Sequence, residues 1–173
     1  MKTILISAMI LGIVTIGYSQ GTSKKQNLEI TIESTISAPK NINYLNKVQV
    51  GIVSPRVLEL QHSVANFNLS ESTLYKIKDK HYIVYFRKTK GLINATFDAK
   101  GKILYAMGRF KDVIFPMPVR NTIYKTHPGW YVLGNTYKTT YSTERGAESL
   151  YKVTIGKGAL EKRLRIDGEG NLL

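Results

Sequence analysis

The chain has 173 residues, no cysteine, and 25 lysines and arginines against 12 acidic residues, for a formal net charge of +13. That length suits one domain with a real core, or two small halves sharing one. The lack of cysteine excludes a disulfide framework and a lipid-modified amino-terminal cysteine, and the basic excess favours acidic partners without fixing a fold or a site.

Residues 1–19 have the layout of a secretory signal peptide: Lys2 is the positive start, Ile4 to Ile16 the apolar run, and Gly17 and Ser19 the small residues that a signal peptidase inspects. A membrane anchor needs roughly 20 apolar residues. This run is shorter and stops at Ser19-Gln20-Gly21-Thr22-Ser23, so cleavage near Ser19 and a periplasmic or secreted mature protein are expected. No later stretch is apolar enough to span a bilayer, so no transmembrane segment is expected in the mature chain.

Residues 20–53 form an amino-terminal leader and short strand. Gln20 to Asn27 is polar, Leu28 to Ile32 (LEITI) alternates like a strand, and Ser37-Ala38-Pro39 stops it. Asn41 to Val50 (NINYLNKVQV) is ambiguous between element types.

A first unit follows over residues 54–110. Ser54 and Pro55 suit the N-cap and first position of a helix whose Val57, Leu60, Val64 and Phe67 share a face, flanked by Leu58 and Ala65. Four strands are then predicted, Leu74 to Lys78, Tyr82 to Lys88, Leu92 to Asp98 and Lys102 to Met107, separated by turns at Asp79-Lys80, Lys90-Gly91 and Ala99-Lys100-Gly101.

Residues 111–173 repeat the order. Pro116 and Pro118 precede a short helix, Val119 to Thr126, with Val119, Ile123 and Tyr124 inward, and His127-Pro128-Gly129 ends it. Trp130 to Tyr141, Leu150 to Ile155, Leu160 to Ile166 and Asn171 to Leu173 supply four more strands, with Gly134-Asn135 able to bend the first.

The repetition is visible residue by residue at an offset of 69. Tyr82, Val84, Phe86, Phe97, Asp98 and Gly101 correspond to Tyr151, Val153, Ile155, Ile166, Asp167 and Gly170. The expected fold class is therefore α+β: two tandem units, each a helix packed on a four-stranded antiparallel meander, forming one open sheet. Period-two alternation assigns Tyr82, Val84, Phe86, Ala95 and Phe97, then Tyr151, Val153, Ile155, Leu164 and Ile166, to the face under the helices. The opposite face then carries Ile83, Tyr85, Arg87, Asn94 and Thr96, with Lys152, Thr154, Arg163 and Arg165, and Lys138 on the neighbouring strand.

No catalytic group assembles. His127-Pro128-Gly129-Trp130 is half of an H-x-G-H nucleotidyltransferase signature, but Trp130 replaces the second histidine and the motif follows a helix rather than a first strand. Ser37-Ala38-Pro39-Lys40 satisfies S-x-x-K without its S-D-N and K-T-G companions. His62, His81 and His127 lack metal-ligand spacing, so neither a metal nor a cofactor is expected. Asp98 and Asp167 occupy the same turn of each repeat, where Asp accepts backbone hydrogen bonds and Gly takes the positive φ. Lysines and arginines interleaved with tyrosines suit single-stranded nucleic acid, but export argues against that partner.

The sequence resembles the PepSY-like exported proteins of the Bacteroidetes. The resemblance covers nearly all of the mature chain and rests on Asn43-Tyr44-Leu45, Phe97-Asp98, Gly101, Lys102, Pro118, Pro128-Gly129-Trp130, Tyr151, Asp167 and Gly170. It implies a fold similar to that of the β-lactamase inhibitor protein, whose disulfides are missing here, and a binding or inhibitory role exercised through a concave sheet face. The combined expectation is a non-enzymatic module that binds an envelope protein, as inhibitor or escort, through Ile83, Tyr85, Arg87, Lys138, Lys152, Arg163 and Arg165. The alternative is electrostatic adhesion to anionic polysaccharide or lipid headgroups.

Overall fold

Alternation of apolar and polar side chains builds the strands of a single sheet. The computed structural model describes residues 28–30, 40–49, 51, 53–77 and 80–173; the expected signal peptide over 1–19, the expected polar leader and Ser37-Ala38-Pro39 lie outside the described residues. The strands are β1 (Leu28–Ile30), β2 (His81–Lys88), β3 (Gly91–Asp98), β4 (Ile103–Lys111), β5 (Tyr131–Ser142), β6 (Gly146–Lys157) and β7 (Leu160–Asp167). They lie in sequential order in one seven-stranded sheet. β1 runs parallel to β2, and β2 to β7 form an antiparallel open meander.

Among the described residues, three helices cover one face: α1 (Ile42–Val48), α2 (Pro55–Asn66) and α3 (Met117–Thr126). Tyr44, Leu45 and Val48 of α1, Val57, Leu60 and Val64 of α2, and Val119 and Ile123 of α3 are buried against it. Every residue that alternation assigned to the covered face is buried as well, so helices and sheet share one hydrophobic core. Phe67 follows the end of α2 and sets its ring 5.5 Å from Phe86 and 5.3 Å from Phe97. Under α1, Tyr44 meets Tyr141 edge to face at 5.1 Å, and Tyr137 lies 4.5 Å from Tyr151. Burial drives the Tyr44 and Tyr151 hydroxyls well above the usual tyrosine range, so both stay protonated donors.

The 69-residue repeat survives in the pairing itself. Tyr82, Val84 and Phe86 pair with Phe97, Ala95 and Ile93, and the corresponding Tyr151, Val153 and Ile155 pair with Ile166, Leu164 and Lys162 in the same relative register. The Asp turns match too. Asp98 Oδ1 accepts from the backbone N–H of Lys100 and Lys102, both at 2.9 Å, and Asp167 Oδ1 accepts from Glu169 and Asn171 at 3.0 and 2.8 Å. Gly101 and Gly170 have φ of 79° and 95°, the left-handed region that suits glycine. Each glycine carbonyl is then tied to the helical layer, Gly101 by Asn41 Nδ2 at 3.1 Å and Gly170 by Thr122 Oγ1 at 2.5 Å.

Several expectations need correction. Leu74 to Ile77, the described part of the expected Leu74 to Lys78 strand, is not a strand: Leu69–Glu71 and Thr73–Ile77 are two short 3-10 turns. Ser70 and Ser72 hydroxyls donate to Asn68 Oδ1 and the Leu69 carbonyl, so local bonds replace a sheet ladder there, and the position beside β2 is taken by β1. The first meander thus has three strands rather than four. Asn171 to Leu173 contracts to one bridge, Leu172 to Ile166, plus a 2.8 Å bond from the Leu173 N–H to the Arg165 carbonyl. Tyr124 points outward, 57% exposed, because Val119 and Ile123 already fill the inward stripe of α3. Ser54 occupies the N-cap of α2 without a side-chain capping bond.

Candidate functional site: the open sheet face

Because successive side chains of a strand alternate between faces, the register of β2 to β7 fixes what the uncovered face displays. Ile83 and Tyr85 on β2 stand opposite Thr96 and Asn94 on β3, which stand opposite Tyr105 and Met107 on β4. The next row runs Arg87, Leu92, Arg109, Lys138, Leu150, Asp167 across six strands. The row beyond it runs Lys111, Thr136, Lys152, Arg165, and Thr154 then stands opposite Arg163. Ile83, Tyr85, Arg87, Lys138, Lys152, Arg163 and Arg165 therefore share one face, across the sheet from the helices.

This face concentrates positive charge in like-charged pairs. Arg109 lies directly opposite Lys138, and Lys152 directly opposite Arg165. Facing residues bring their Cβ atoms to about 5 Å, where like charges destabilise a sheet. Among the described residues, the side chains of Arg109, Lys138, Lys152, Arg163 and Arg165 form no hydrogen bond or ion pair. Two ion pairs lie off this face: Lys88 with Glu59 of α2 on the helix side, and Lys90 with Asp112 at 2.7 Å beside a turn. Lys90 holds the exposed Asp112 carboxyl below the usual range.

Apolar side chains flank the cations. Met107 is 49% exposed near the middle of the face. At its far end, β5 bulges between Val132 and Gly134. Leu133 and Tyr131 lie over Gly156, where an added Cβ would come within 3.0 Å of Leu133 Cδ1 and 3.3 Å of Tyr131 Cε2. Both remain about half exposed, at 48% and 53%. Sequence reasoning missed Arg109, Met107 and this pair. Regular alternation does not carry through the irregularity facing Thr96 and Phe97 or through the β5 bulge; the Gly134-Asn135 bend was the one signal that pointed to the second.

The motifs that suggested chemistry have structural roles. His127 caps α3, its N–H donating to the Ile123 carbonyl at 3.0 Å, and Gly129 turns the chain with φ of 76°. Thr126 Oγ1 donates to the Thr122 carbonyl, so it accepts from His127 Nδ1 at 2.8 Å, which leaves Nε2 to accept from Lys162 Nζ at 3.0 Å. Desolvation and the Lys162 charge lower the His127 pKa from its ordinary value. At Asp167, desolvation raises the carboxyl pKa but the hydrogen bonds from Asn171, Glu169 and Gly170 outweigh it, and the net shift is downward. No group of three or more His, Asp or Glu able to hold a metal occurs among the described residues, and no described helix is long and apolar enough to cross a membrane.

Two grooves border the sheet. One, of about 380 Å³, lies beside Asn41, Leu69, Tyr75 and the Gly101 turn. The other, of about 710 Å³, runs along β6 where β7 no longer covers it, and reaches Lys138, Leu150, Arg165 and Asp167 of the open face. Fold and site together define an α+β protein with an antiparallel open sheet, one face packed under helices and the other displaying a cluster of cations among exposed apolar groups. No family model, no curated protein and no solved structure matches this chain.

Proposed function

We propose that the protein is an exported, non-enzymatic binding module that holds an envelope protein on its open sheet face, as an inhibitor or an escort of an exported hydrolase. The observation that carries this is the coexistence, on one uncovered face, of Arg109, Lys138, Lys152, Arg163 and Arg165, which have no side-chain partner among the described residues, with half-exposed Met107, Tyr131 and Leu133. Interfaces combine such apolar anchors with a polar surround. Export rests on the signal-peptide layout of residues 1–19. Membership of the PepSY-like group rests on the motif residues Asp98, Gly101, Asp167 and Gly170, and the shared register and turn bonding of the two hairpins support descent from one helix-plus-meander unit used twice.

A second reading, adhesion to envelope polyanions or lipid headgroups, is favoured by the facing Arg109–Lys138 and Lys152–Arg165 pairs. Salt separates the two, because exposed charges are screened within about 10 Å at 0.1 M and much less at higher ionic strength. Affinity capture from envelope extract at about 0.1 M and about 0.5 M salt should retain a discrete protein at both. Capture of many anionic components that all vanish at the higher salt would replace the first reading with the second.

A further inference from the structure

We infer that the occupant of the open face is a short extended acidic peptide segment of the partner, laid across β4 to β7 on the lane formed by Arg109, Lys138, Lys152, Arg165 and Arg163. This deepens the protein-binding reading and rests on it. The lane has definite ends: Glu148 stands on the same face of β6 beyond Leu150, Glu161 stands beyond Arg163 on β7, and Asp167 closes the Lys138 row. Acids at the rim repel a broadly anionic surface such as a membrane or a long polyanion. A narrow segment that stays between them meets cations and no acidic side chain.

Dimensions agree. Four adjacent strands span three inter-strand steps of about 4.8 Å, or roughly 14 Å. An extended chain rises about 3.3 Å per residue with alternate side chains on one side, so about five residues with acids at alternate positions place about three carboxylates along the lane. Two of these carboxylates would each relieve a like-charged pair, Arg109–Lys138 and Lys152–Arg165, and the third would meet Arg163. The intervening apolar contacts, Leu150 inside the lane and Leu133 at its end, suit a peptide, which brings apolar side chains of its own; a uronate polymer brings none.

The test uses the mature chain and a fluorescein-labelled peptide of alternating glutamate and leucine, with alginate and phosphatidylglycerol vesicles as competing probes. Lys138→Gln with Arg165→Gln should weaken peptide binding by about tenfold or more, whereas Lys76→Gln with Lys125→Gln, which removes equal charge from exposed positions elsewhere, should weaken it less than about threefold. The lane variant should melt no lower than the parent, because it removes repulsion. Equal weakening in both double variants would overturn the inference, as would tighter binding to alginate or vesicles at equal anionic-group concentration. The broader reading fails separately: if the captured envelope protein is lost on changing Tyr85 and Met107 but not Lys138 and Arg165, only the lane is wrong, and if neither change matters, both are.

Discussion

Asn41 joins three parts of the fold, two through its side chain and one through its backbone. Its Nδ2 donates to the Gly101 carbonyl at 3.1 Å, its Oδ1 accepts from the Ile103 N–H at 3.0 Å, and its own N–H donates to the Ala65 carbonyl at the end of α2 at 3.1 Å. Asn41→Ala keeps the backbone bond and removes the other two. Ile103 is 1% exposed, so its N–H would be left without a partner and without water. An unsatisfied buried donor costs about 1–3 kcal/mol and an ordinary lost bond about 1 kcal/mol, which together give about 2–4 kcal/mol. At the corresponding turn of the repeat, Thr122→Val removes a single bond to the Gly170 carbonyl and should cost only about 1 kcal/mol. Urea unfolding at constant slope gives both values. A cost below about 0.5 kcal/mol for Asn41→Ala, or a larger one for Thr122→Val, would refute the claim that this side chain pins the turn.

Other outcomes follow from groups that the fold leaves strained or tuned. Gln61 on α2 is fully buried and neither amide atom has a partner among the described residues, so Gln61→Leu should raise stability by about 1–3 kcal/mol in the same unfolding assay; a loss would mean that the amide is satisfied. His127 should titrate below 6.5 by NMR, and Lys162→Met should move its midpoint upward. Since the folded pKa is lowered, the neutral imidazole supports the fold fully above the unfolded value, and that support is lost as pH falls through the folded one. Asp167 follows the same rule in the carboxylate range: its contribution is complete above the unfolded value of 3.8 and disappears as pH falls through the lowered folded value. Asp167→Ala should therefore flatten the acid limb of the stability profile.

The sheet was legible in the sequence wherever alternation ran unbroken and a turn had its own chemistry. Tyr82, Val84 and Phe86 against Phe97, Ala95 and Ile93 required only period-two counting, and Asp98 with Gly101 announced the turn that follows. The open-face residues on β2, β6 and β7 followed from the same parity. What escaped were places where local or tertiary context overrode pattern. Leu74 to Lys78 contains a strand-like apolar residue, yet nearby serine side chains bond the backbone and β1 takes the neighbouring slot. Arg109 and Met107 were hidden by the register shift at the start of β4, and Leu133 by the bulge in β5, because one inserted residue reverses parity for everything beyond it. Gln61 resembles a solvent-facing residue of an amphipathic helix; its burial depends on packing that periodicity does not encode.

The central claim, that the open face is the binding surface, is tested most directly by capture with Tyr85→Ala and Arg163→Ala together, compared with the parent chain at about 0.5 M salt. Both residues lie outside the hydrophobic core, so the variant should fold with an unchanged melting profile. The account predicts that the partner retained by the parent is lost from the variant, while the helix-side variant Tyr124→Ala still retains it. Undiminished capture by the open-face variant, with loss on changing Tyr124, would place the binding surface on the helices and contradict the account.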